Sequence, residues 1–149
     1  MLSIRARPSF RDVLRNDVNS MDSQYTFESF AHFCQSRQVT ESIRFIQSVK
    51  RMMLHVRNCR LASTRRAMVQ RIVQRFISSG SMHEINIGCT VRKATIANCE
   101  AYVSQDDKAL ILDESYETLF SDALLEVIKL LRADVWPQYI RSLSEHSKQ

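Results

Sequence analysis

Glycine and proline are scarce, at two each in 149 residues. Tight hairpin turns usually need glycine or asparagine at positive φ, so this scarcity argues against a hairpin-rich β protein. With only Gly80 and Gly88 available, neither a GxGxxG turn nor a Walker A phosphate loop can be written. Long apolar runs are missing too, and nothing approaches the roughly 18 residues that suggest a membrane span. Met1 to Leu14 carries Arg5, Arg7 and Arg11 and lacks the apolar centre of a secretory signal. None of the cysteines, Cys34, Cys59, Cys89 and Cys99, forms CxxC, and their spacing fits no zinc module. Reduced thiols are expected, with a disulfide pair as the alternative. His32, His55, His83 and His146 are scattered. No metal or cofactor is therefore expected. No nucleophile–base pair stands out either, so the chain is not expected to be an enzyme.

Acidic residues are absent from one long stretch. Between Ser42 and His83 stand nine basic residues and no acid: Arg44, Lys50, Arg51, Arg57, Arg60, Arg65, Arg66, Arg71 and Arg75. From Glu100 to Asp134 nine acids face only Lys108, Lys129 and Arg132. The formal net charge of +5 hides this division. Two readings of the basic stretch stand: a solvated helical face, or a surface for an anionic partner. Nucleic acid is disfavoured, because Phe45 is the only aromatic between Arg44 and Arg75 and base stacking needs aromatics. The acidic pairs Asp106-Asp107 and Asp113-Glu114 read as solvated loop charge.

What the chain does have is 44% apolar residues, enough for one substantial core. Phe27, Phe30, Phe33 and Cys34 recur at helical spacing and predict a helix over Thr26 to Ser36. Thr40 can cap the next helix, whose stripe is Ile43, Ile46, Val49, Met53 and Val56. Ser63 or Thr64 can cap another, with Met68, Ile72, Val73, Phe76 and Ile77 inside and Gly80 as its stop. Glu84 to Gly88 could pass for a strand but has no visible partner, so it is read as a loop pinned by Ile85 and Ile87. Thr90 can cap a short helix through Asn98, and Gln105 to Lys108 reads as a polar loop. The end of the chain predicts two helices. One carries Leu119, Phe120, Ala123, Leu124, Val127, Leu130 and Leu131. The other carries Trp136, Tyr139, Ile140 and Leu143, with Pro137 in its first turn. The expected fold is an all-α, monomeric bundle of about nine helices.

Three stretches, in order, resemble the regulator of G-protein signalling (RGS) family over about Ser9 to Ser142. Phe30-x-x-Phe33 with Thr40-Glu41-Ser42-Ile43-x-Phe45 resembles F-x-x-F with E-E-N-[IL]-x-F-W. Phe76-Ile77 with Glu84-Ile85-Asn86-Ile87 and Arg92-x-x-Thr95 resembles F-[IL], E-[IV]-N-[IL] and R-x-x-[TI]. Phe120-x-x-Ala123, Leu130 and Asp134-Val135-Trp136-Pro137-Gln138-Tyr139-Ile140 resemble F-x-x-A, L-M and D-S-Y-P-R-F-L. The resemblance implies a domain over residues 9–145, between a basic segment at 1–8 and a tail at 146–149. It implies a partner, the α subunit of a heterotrimeric G protein, whose GTP hydrolysis the domain accelerates. Contacts would fall on Gln38, Glu41, Ser42, Glu84, Asn86, Leu130, Asp134 and Gln138. Asn86 would sit against the switch that carries the catalytic glutamine. Bland readings stay beside these: Asn86 as a turn residue, Glu41 as first-turn decoration, Asp134 as an N-cap. Ser42, Gln138 and Gly88 stand where the family usually has asparagine, arginine and aspartate.

Some members are thought to bind acidic phospholipid on the corresponding fourth and fifth helices. This adds Lys50, Arg51, Arg57, Arg60 and Arg65 as candidate lipid contacts. The alternative function is an RGS-homology scaffold that binds anionic lipid or another protein without strong activation. Either way the implied location is the cytoplasm, free or peripheral at the inner face of the plasma membrane.

Overall fold

A computed structural model describes residues 7, 9–15, 25–35 and 39–148. Among these, eight α-helices and no strand are present: α1 (Phe10–Arg15), α2 (Phe27–Gln35), α3 (Thr40–Asn58), α4 (Ala62–Ile72), α5 (Cys89–Val103), α6 (Asp107–Leu112), α7 (Ser121–Leu130) and α8 (Trp136–His146). The all-α expectation holds, with eight of the expected nine or so helices among the described residues. Two π turns, Val73–Ile77 and Leu131–Val135, follow α4 and α7, and a 3₁₀ turn spans Glu114–Glu117. No helix among the described residues is long and apolar enough to cross a membrane. All four cysteines are free.

The chain divides into two compact units, Met1–Thr40 with Leu130–Gln149, and Glu41–Lys129. In the first, Phe30 is fully buried, with the rings of Phe10 at 5.4 Å, Trp136 at 5.6 Å and Tyr139 at 5.4 Å. These edge and tilted arrangements are the ones aromatic quadrupoles favour. Of the predicted face of α2, Phe27, Phe30 and Cys34 are buried together with Ala31, while Phe33 is half-buried.

In the second unit Phe45, Phe76 and Phe120 form the central ring cluster. Ile46, Val49, Met52 and Val56 of α3 and Val69 and Ile72 of α4 are buried in the same unit. Met52, not Met53, continues the α3 stripe, and Val69, not Met68, continues that of α4.

Arg65 explains the shift in α4. It occupies an inward position, 6% exposed. Its guanidinium donates to the carbonyls of Cys59 at 2.7 Å, Val56 at 3.0 Å, Ile111 at 3.0 Å and Leu110 at 3.5 Å. Four carbonyls at or just past the ends of α3 and α6 thus share one cation. Arg66 does the same for α5, donating to Val103 and Gln105 carbonyls at 3.0 and 2.6 Å and pairing with Asp107 at 2.6 Å. Arg65 is thereby removed from the candidate lipid face: its charge is consumed inside the unit.

Several caps also differ from expectation. α4 begins at Ala62, ahead of Ser63 and Thr64, and Leu61 at its N-cap lends no side chain. α5 begins at Cys89 after Gly88, ahead of Thr90, and runs past Asn98 to Val103. Asp106 is not idle loop charge, since it caps α6 by accepting from the Ala109 N–H. Asp113 likewise accepts from the Ser115 N–H at 2.8 Å and the Gln105 amide at 2.7 Å. These bonds hold its carboxyl below the usual carboxylate range.

Candidate functional site

In the unit Glu41–Lys129, the candidate residues Glu84 and Asn86 lie on the loop between α4 and α5. The loop begins where the π turn ends, with the Ser78 N–H on the Val73 carbonyl at 2.8 Å. Gly80, at φ 77°, takes the left-handed conformation that a side chain would resist. The chain then folds back along the end of the helical segment. The His83 N–H reaches the Arg75 carbonyl at 3.3 Å and the Ile85 N–H the Phe76 carbonyl at 3.0 Å.

Arg92, on the first turns of α5, locks this return. It donates to the carbonyls of Ile77, Ile85 (2.9 Å) and Ile87 (3.5 Å), and pairs with Glu84 at 3.3 Å. The other Glu84 oxygen accepts the Gly80 N–H at 3.0 Å. Glu84 is thus engaged within its own loop. Beyond the loop, the Gly88 N–H donates to Glu126 of α7 at 2.8 Å. The side-chain result is an alternation. Ile85 (2% exposed) and Ile87 (8% exposed) point inward, and Asn86 between them is exposed. The Asn86 amide makes no hydrogen bond among the described residues, so it caps no turn there. It keeps both donor and acceptor for a partner.

Glu41 and Ser42 are half-buried in the first turn of α3, where an acid suits the positive end of the helix dipole. Gln38 lies outside the described residues.

The other unit carries Leu130, Asp134 and Gln138, spaced four apart. Leu130 is 40% exposed and Asp134 is exposed. Asp134 sits inside the π turn, not at an N-cap, and α8 follows with no intervening loop. The Trp136 N–H closes that turn on the Leu131 carbonyl. Pro137, next in line, lacks an N–H and would press its ring on the carbonyl four residues back. A π turn just ahead relaxes that conflict. Gln138 donates to the Asp134 main-chain carbonyl at 2.8 Å, not to its carboxylate. The carboxylate itself makes no hydrogen bond among the described residues, and is open to a donor.

Two side chains that hold this loop are not singled out by the sequence. Arg92 was visible only as part of a motif, and Glu126 not at all. An arginine four residues past an N-cap glycine looks like any surface cation until the carbonyls it serves are seen.

No group of His, Cys, Asp and Glu among the described residues could hold a metal ion. Residues 18–144 match the family model described as Regulator of G protein signaling domain. No match to a curated protein was found.

Proposed function

The chain belongs to the regulator of G protein signaling domain family, and from that membership we propose that it binds the switch segments of an activated Gα and accelerates GTP hydrolysis there. Gα carries its own arginine finger in cis, so a partner need not supply a catalytic group. What remains is to hold mobile switches in the arrangement that favours the transition state. That work suits rigid hydrogen-bonding side chains on a packed scaffold. The observation that carries the reading is Asn86. Its amide is exposed and unspent on a loop fixed by Arg92, Glu84 and Glu126. Asp134, with an exposed and unpaired carboxylate, supplies an acceptor of the kind a switch residue needs.

The test is binding to a panel of Gα subunits. Retention is expected with GDP and aluminium fluoride, a transition-state mimic, and not with GDP alone. Asn86→Ala is expected to weaken it by about ten- to a hundredfold, the worth of a hydrogen bond to a charged or polarised partner. No retention of the unmodified chain by any Gα would sink the reading.

A second reading, a scaffold on anionic lipid, is favoured by one feature. Arg51, Arg71 and Arg75 rim a groove between α3 and α4 whose floor includes Met52, Met68 and Phe76. Cations around an apolar floor suit a phosphorylated headgroup with its acyl root.

A further inference from the structure

Gly88 is the N-cap of α5, with φ −62° and ψ 151°, and has no side chain to offer the helix. In a capping box, the third helical residue is Glu or Gln and reaches back to the N-cap N–H. Here that residue is Val91, and the first turn of α5 holds no acid at all. Both missing services come from another helix. Glu126 of α7 accepts the Gly88 N–H at 2.8 Å and sets a negative charge beside the positive end of α5. The same carboxylate disfavours an acid at this position, though a small side chain would fit. A Cβ at position 88 would lie 3.5 and 3.8 Å from the two Glu126 oxygens, so an aspartate there would meet a like charge.

The Gly88 N–H is two residues from Asn86. Arg92 holds the near side of that segment through the Ile85 and Ile87 carbonyls. Glu126 holds the far side and ties it to α7. We infer that Glu126 is a positioning residue for Asn86, acting through the Gly88 N–H to fix the amide in the orientation its partner requires. This rests on the Gα reading above and deepens it: the loop between α4 and α5 is set by a carboxylate from α7.

Two measurements test this. Amide hydrogen exchange at Gly88 needs no partner. Glu126→Ala should speed it about tenfold, the loss of one charge-assisted hydrogen bond. Glu126→Gln keeps a carbonyl acceptor and should stay close to the unmodified chain. Unchanged Gly88 exchange in Glu126→Ala overturns the inference. The second measurement is a double-mutant cycle on binding to Gα with GDP and aluminium fluoride. Glu126→Ala should weaken binding about tenfold when Asn86 is present, and hardly at all once Asn86→Ala has removed the amide. Equal losses in both backgrounds overturn the inference, because Glu126 would then act elsewhere. Gly88→Asp should reproduce the Glu126→Ala loss, and adding Glu126→Gln should relieve it. Failure of the unmodified chain to bind any Gα strikes the Gα reading instead, and Gly88 exchange then decides the tether alone.

Discussion

Arg65 carries a full charge at 6% exposure with no carboxylate paired to it among the described residues. Four carbonyl dipoles and the Tyr116 ring, 5.7 Å from the guanidinium carbon, replace the lost water. In the sequence Arg65 is indistinguishable from Arg57 or Arg60. Its partners at Leu110 and Ile111 stand 45 and 46 residues away, and no local period announces them. Cys34 is the opposite case, since a small apolar thiol at an inward position of α2 follows from its stripe, whereas Cys99 lies past the expected end of its helix at Asn98. Burial pushes Cys34 and Cys99 up from 9.0 to about 12, with Glu100 adding to the shift at Cys99. Below pH 9 folded and unfolded chains both keep these protons. Above it the unfolded thiols ionise first, so stability is lost as pH climbs from 9 toward 12. The urea midpoint should therefore fall across that window. The fall should be shallower in a chain carrying Cys34→Ala and Cys99→Ala; an equally steep fall would assign it to other groups.

At the scale of elements, most helices were legible and their ends were not; α6 (Asp107–Leu112) begins inside the stretch read as a polar loop. Apolar period marks a helix wherever one face is buried, and α2 and α3 obey it. Ends depend on which orphan groups find partners, and here those partners come from distant helices: Arg65 and Arg66 at C-termini, Glu126 at an N-terminus. Pro137 marked the first turn of α8 but not the π turn before it. The one at Val73–Ile77 has no proline or glycine inside it, and its sequence gives no warning. The same sorting revises the basic face of α3 and α4. Arg65 and Arg66 are structural, and Arg57 lies 3.9 Å from Glu117. Arg51, Arg71 and Arg75 around the apolar groove are the better candidates. Vesicles with phosphoinositide should bind the chain more tightly than neutral ones, and salt should weaken this. Reversing these three arginines to glutamate should cut binding at least a hundredfold, at about 1 kcal/mol per basic residue near an anionic surface. The helical circular dichroism should survive. Arg65→Glu, by contrast, should lower the melting temperature. Equal flotation of the unmodified chain with neutral and anionic vesicles would remove the lipid reading.

For the whole molecule, the candidate contacts come from three distant stretches of chain, around residues 41, 86 and 134. Charge and period alone marked these only as polar junctions, and it was the motif order that joined them into one proposed site. The structure supplies what the motifs lacked, namely which side chains remain unspent. Glu84 is engaged within its loop, Gln138 spends its amide on a main-chain carbonyl, and Asn86 and Asp134 stay open. If Asn86 and Asp134 contact one Gα independently, Asn86→Ala and Asp134→Ala should each slow the accelerated single-turnover GTP hydrolysis. Together their losses should multiply. Each is expected to cost about tenfold with little change in folding stability, because both side chains are exposed. Gln138→Arg should act in the other direction. An arginine four residues after Asp134 would give the carboxylate the cationic partner that Gln138 withholds, worth roughly 0.2–0.5 kcal/mol on a helix surface. The resulting gain is expected to be about twofold. Ser42→Asn, replacing a short hydroxyl by an amide that can both donate and accept, is expected to add to it. These gains are the sharper test, since surface substitutions seldom improve a function. A panel of inhibitory-class Gα subunits should show at least one accelerated member. If none is accelerated even by the chain carrying both Gln138→Arg and Ser42→Asn, then the open amide and carboxylate serve some other partner, and the shared motifs report a common fold alone.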